Sequence, residues 1–147
     1  MKYILLFTTA LLLFVGCQSA ATKNTDSGVA NIPTEIKEVS PAEAQVAVSK
    51  AYSQFIDVRT AEEYAGGHAA RAVNIPLDTI SSKLGTLEKN EPVYVICQTG
   101  NRSKKAAAIL KEAGFNNVLN VTGGTTAWAE AKLPMETKPP HGAPPAK

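Results

Sequence analysis

Between residues 35 and 134 the chain repeats a single beat: a short run rich in β-branched or aromatic side chains, then a capped segment with helical apolar spacing. The strand-like runs fall at 35–39, 54–58, 72–75, 93–97 and 118–121. Ser40-Pro41-Ala42-Glu43 places a serine at an N-cap, proline at the first helical position and a glutamate to close a capping box; Ala44, Ala47, Val48 and Ala51 then share a face. Thr60-Ala61-Glu62-Glu63 opens a second, short helix that stops at Gly66-Gly67. Asp78 is placed to cap a third helix with Ile80, Leu84 and Leu87 on one face. A fourth runs from Arg102 towards Ala113 through Ala106, Ile109 and Leu110, with Gly114 to end it. The last spans Thr125 to Lys132 and is stopped by Pro134. Strands separated by helices are joined by crossovers, and crossovers make neighbouring strands parallel. The expected architecture is α/β, in three layers: a central, mostly parallel five-stranded sheet with helices on both faces.

The flanks have a different chemistry. Lys2 precedes an uncharged run over residues 4–16, shorter than the about 20 residues that a bilayer span needs, so residues 1–16 read as an export signal. Leu13-Phe14-Val15-Gly16-Cys17 resembles the lipobox of bacterial lipoproteins. That resemblance implies lipidation of Cys17, a membrane anchor without a membrane span, and a periplasm-facing location, with Gln18 pointing to the outer membrane. The alternative is a plain secretory signal with an incidental cysteine. Residues 17–34 are small and polar and read as a flexible tether, and residues 135–147, with Pro139, Pro140, Pro144 and Pro145, as a disordered tail. His141 falls in that tail without the clustered ligands of a metal site. A net charge of +2 without blocks of like charge, and 6% aromatic residues, exclude an electrostatic or stacking footprint for nucleic acid.

A lipidated Cys17 leaves Cys97 without a disulfide partner in an oxidising compartment, where an unused thiol is a liability. Cys97 closes the most strand-like run, at the end of a strand where α/β sheets build their ligand sites. Gln98-Thr99-Gly100-Asn101-Arg102-Ser103 follows: no large apolar side chain, a glycine for a sharp turn, then a helix. Amides of such a loop can converge as an anion nest, backed by the helix dipole and the Arg102 guanidinium. A thiol facing them is expected to ionise below its usual value near about 8.5. The competing readings are a small buried hydrophobe for Cys97 and a surface charge for Arg102.

At these residues the chain resembles the rhodanese family. The matching segments are Cys97-Gln98-Thr99-Gly100-Asn101-Arg102-Ser103, Asp57-Val58-Arg59 with Glu63-Tyr64, Gly67-His68 with Ala72-Val73-Asn74-Ile75-Pro76, and Gly123-Gly124 with Ala127-Trp128. Ala69 stands where the family has an aliphatic isoleucine, and Arg71 where it commonly has glycine. The resemblance implies a sulfurtransferase: a Cys97 persulfide taken from a donor such as thiosulfate, held by the amides of the loop, with Arg102 closing the loop and assisting anion binding. The four-residue spacing between Cys97 and Arg102 resembles the ring of sulfur-transferring members, whereas related phosphatases use a ring one residue longer. Asp57 and Arg59 are expected to form a structural network and His68 to order its loop, each with a supporting role at the site as the alternative. Trp128 is expected in the core. The resemblance implies no metal or organic cofactor; partners are then small sulfur compounds or a protein persulfide, and the alternative function is a non-catalytic persulfide carrier or docking module.

Overall fold

The computed structural model describes residues 35–50 and 53–137. The segments expected as export signal and tether, with Cys17, Ala51 and His141, lie outside the described residues. The elements are β1 (Lys37–Val39), α1 (Pro41–Val48), β2 (Gln54–Asp57), α2 (Ala61–Ala65), β3 (His68–Ala69), β4 (Val73–Asn74), α3 (Ile80–Lys83), β5 (Val93–Ile96), α4 (Asn101–Glu112), β6 (Val118–Val121), α5 (Gly124–Glu130) and β7 (Met135–Glu136). Both capping boxes form. Ser40 Oγ accepts from Glu43 N at 3.3 Å while a Glu43 oxygen accepts from Ser40 N at 2.9 Å. Thr60 and Glu63 repeat the exchange at 3.3 and 3.0 Å. Each box satisfies amide donors that the start of a helix otherwise leaves without partners.

The main sheet has the order β1-β6-β5-β2-β4, with every pair parallel. Ile56, Val58, Val93, Val95 and Val118 on one face pack with Ile80, Ala106 and Leu110, while Phe55, Ile96, Leu119 and Val121 on the other pack with Ala44, Val48 and Trp128. The three layers are therefore α3 and α4, the sheet, and α1 with α5. The strands β2 and β5 lie side by side, Asp57 opposite Ile96. From β2 the chain leads outward to β4, and from β5 it leads the other way to β6. Connections that diverge from adjacent strands open a crevice beyond their carboxyl ends, and both strands empty into it.

Four local expectations are corrected. Asp78 does not cap the third helix: Thr79 occupies the N-cap position without a side-chain bond. That helix is a single turn continued by a 3-10 turn over Leu84–Thr86. The run at 72–75 contributes only Val73–Asn74 to the sheet. Met135–Glu136, expected in a disordered tail, instead pairs antiparallel with His68–Ala69. Trp128 Nε1 donates to Pro134 O at 2.9 Å just before this pairing, so the buried indole fixes where the chain turns into β7. Arg71 sits at φ 71°, the left-handed region that costs a side chain about 1–2 kcal/mol, which accounts for glycine being common there in the family it resembles.

Candidate active site

Cys97 is the first residue after β5 and is 1% exposed. Gly100, at φ 98°, turns the chain and becomes the N-cap of α4, and it offers no side chain to the first-turn amides. The sulfur takes that place. Gly100 N–H donates to Cys97 Sγ at 3.1 Å, and the Ser103 hydroxyl lies 3.4 Å from the same atom. Ser103 is the third helical residue, whose amide an N-cap side chain ordinarily binds. Burial pushes the Cys97 thiol up, but the Ser103 hydroxyl and the amides of Ser103, Thr99 and Gly100 together pull it below its ordinary value. The Ser103 proton has a second acceptor, Gly100 O at 3.0 Å; negative charge on sulfur draws it towards Cys97.

The loop is held from behind by α5. Thr125 N donates to Cys97 O at 2.7 Å and Thr126 N to Gln98 O at 3.1 Å. A Cβ on Gly124 would lie 2.2 Å from Cys97 O and 2.5 Å from Gln98 O, so the two backbones can meet only without a side chain there. Below Gly100, the Asn120 amide nitrogen donates to Glu38 at 2.9 Å, and Glu38 also pairs with Lys104 at 3.2 Å. Gln98, Thr99 and Asn101 are exposed at the rim, while Gly100 and Ser103 are buried beneath it.

Arg102 reaches across to α2. Its Nη1 and Nη2 donate to the two Glu63 oxygens at 2.6 and 2.7 Å. The guanidinium ties α4 to α2 and directs both terminal nitrogens at a carboxylate. Through the Arg102 hydrogen bond foremost, against burial, and with help from Thr60 N, the Glu63 carboxyl is lowered to about 2. Three amides and one hydroxyl serve the sulfur by hydrogen bonds, and Arg102, paired with Glu63, interacts with it through space.

Asp57 and Arg59 form the structural network. Both are buried, and Arg59 Nη2 donates to Asp57 Oδ2 at 2.7 Å and to Gly67 O at 2.8 Å. Asn74 donates to the carbonyls of Asp57 and Arg59, both at 2.9 Å. This cluster locks the end of β2 to β4 and to the approach of β3. His68 is buried as well, its Nδ1 2.8 Å from Tyr64 O and its ring stacked on Tyr64 at 3.6 Å. Among the described residues no three His, Cys, Asp or Glu side chains gather as a metal site.

The sequence reading overlooked Glu63 as the partner of Arg102, the individual weight of the Ser103 hydroxyl, and Asn120 under the loop. Glu63 completes its capping box and belongs to the Glu63-Tyr64 motif, and neither pattern reveals that its carboxylate also binds Arg102.

A parallel sheet that presents a thiol at a helix start, on a loop braced by a second helix, defines a class of α/β proteins with a single nucleophilic sulfur. Residues 40–131 match the rhodanese-like domain, and the chain belongs to this family. The putative sulfur carrier protein YrkF of Bacillus subtilis is 40% identical over 73 residues, which are 50% of this chain and 40% of that protein. The thiosulfate sulfurtransferase GlpE of Actinobacillus pleuropneumoniae is 33% identical over 100 residues, covering 68% of this chain and 93% of that one. Among solved structures, a rhodanese-like domain protein from Staphylococcus aureus superposes with a TM-score of 0.63 at 36% identity, covering 70% of this chain and 99% of its own.

Proposed function

We propose that this chain is a rhodanese-type sulfurtransferase that carries sulfane sulfur as a persulfide on Cys97. The Cys97 thiolate attacks the outer sulfur of a donor such as thiosulfate; the donor S–S bond breaks and sulfite leaves with the bonding pair. The persulfide then yields its terminal sulfur to an acceptor nucleophile such as cyanide, which departs as thiocyanate and returns the thiolate. Donors already aimed at sulfur stabilise negative charge before and after each displacement without reorganising. The observation that carries this reading is Cys97 Sγ seated among donors at the start of α4, with Gly100 N–H at 3.1 Å and Ser103 Oγ at 3.4 Å. Relatives named as sulfurtransferase and as sulfur carrier support the same role.

Intact-mass measurement after exposure to excess thiosulfate or a polysulfide tests it. The expected result is a gain of one sulfur atom, located on Cys97, that is absent in Cys97→Ser. No gain in the parent protein rejects the mechanism. Turnover of thiosulfate with cyanide then identifies a catalyst, whereas stoichiometric loading without turnover identifies a carrier. We also propose that a lipid on Cys17 tethers the domain to the periplasmic side of the envelope, a reading supported by the lipobox-like run that ends at Cys17. Cys17→Ala is expected to leave the membrane fraction or to remain unprocessed, and unchanged fractionation counts against the anchor.

A further inference from the structure

Arg102 belongs to the first turn of α4, two residues past the glycine whose amide binds the sulfur. Its ionisation is raised chiefly by the hydrogen bond to Glu63, against burial, and it also feels the negative charge of Glu63, Cys97 and Asp57. A groove of about 640 Å³ meets the loop at this residue and is walled by Val58, Thr60, Glu62, Leu77 and Asp78 among others. Arg102 is the cation of that groove, and both of its terminal nitrogens are committed to Glu63. The carboxylates of Glu62 and Asp78 take part in no ion pair among the described residues. The groove thus presents uncompensated negative charge next to a loop whose one cation is neutralised.

We infer that Glu63 is a positioning and specificity residue for the sulfur-transfer loop: by clamping Arg102 to α2 it holds the loop closed and turns the site against anionic reactants. The substrates this selects are uncharged or cationic sulfur compounds, such as a thiol or persulfide on a neutral or basic peptide, with the thiosulfate dianion a weak donor. The inference rests on the reading of Cys97 as the sulfur-carrying residue. Its physical basis is a balance of local charge: the groove beside Arg102, with the unpaired carboxylates of Glu62 and Asp78, repels an anion during its approach, and a guanidinium freed from Glu63 weakens that repulsion.

Alkylation of Cys97 with two reagents of nearly equal size measures this directly, iodoacetamide being neutral and iodoacetate an anion. The ratio of their rates at fixed pH cancels the intrinsic reactivity of the thiol. Glu63→Gln, which frees Arg102, is expected to shift the ratio towards iodoacetate by about three-fold or more at low ionic strength, and to lose most of that shift in high salt. Arg102→Gln, which leaves Glu63 unpaired, is expected to shift it by about the same factor the other way. In the steady state, Glu63→Gln is expected to lower the KM for thiosulfate more than it alters kcat. If the Glu63 variant does not fold, the Arg102 variant reads the same charge from the opposite side. A ratio unchanged in both variants, or both rates moving together as for a loosened loop, overturns the inference. Because alkylation needs no sulfur transfer, failure of Cys97 to gain sulfur would sink the proposed function while leaving this ratio readable.

Discussion

The sulfur of Cys97 is held by a few donors, and one of them can be removed without touching the backbone. Ser103→Ala deletes the hydroxyl 3.4 Å from Sγ and leaves the Gly100 amide in place. A hydrogen bond to a charged group contributes about 1.5–3 kcal/mol, and one pH unit of ionisation corresponds to about 1.4 kcal/mol. The Ser103→Ala thiol is therefore expected to ionise about one pH unit higher, read as the midpoint of iodoacetamide alkylation against pH. An unmoved midpoint would show that the amides alone hold the thiolate. Such a donor was only half legible beforehand. The glycine, the polar loop and the helix after Cys97 are contiguous, so an anion nest follows from local spacing. The Arg102–Glu63 pair was not legible, because its members lie 39 residues apart and only the fold brings them together.

At the scale of elements, legibility followed the range of the forces. The two capping boxes are exchanges between residues three apart, and both form as expected. Apart from half-buried Tyr94, β5 and β6 are buried on both faces, and their apolar runs, interrupted at Asn120, say so. β3 and β7 hold two residues each, too few for any periodicity, and their pairing is decided by contacts far apart in sequence. His68 stacks on Tyr64 at 3.6 Å and Trp128 reaches Pro134, and together these interactions align two short segments that propensity alone leaves as loop. The third helix illustrates the opposite error. Asp78 is a good cap by residue type, yet the chain enters the helix one residue later and leaves the carboxylate to line the groove. Gly124 shows a third case: its pairing with Gly123 was a recognisable motif, but the reason for it, a backbone 2.2 Å from the position of a Cβ, exists only once α5 meets the loop.

Across the whole molecule, the groups that shape the site also set how its stability responds to pH, because a group whose ionisation differs between folded and unfolded chains changes the folding equilibrium. Glu63 ionises at about 2 in the folded protein against 4.5 ordinarily. Its contribution is therefore fully present above pH 4.5 and is lost as the pH falls towards about 2. Cys97 is also depressed, from 9.0, so it behaves in the same sense at the alkaline end. Its thiolate adds stability as the pH rises through its folded value, and the gain is complete once the pH exceeds 9.0, where the unfolded thiol ionises too. Urea midpoints for the parent protein, Glu63→Gln and Cys97→Ser separate the two effects. The Glu63 variant is expected to show a shallower acid loss between about pH 4.5 and 2, and to run parallel to the parent above it. The Cys97 variant is expected to follow the parent in acid and to fall behind it as the pH climbs towards 9.0. Parallel curves for parent and Cys97→Ser through the alkaline range would mean that folding does not favour the thiolate, and that the loop amides do not act on the sulfur as charge donors.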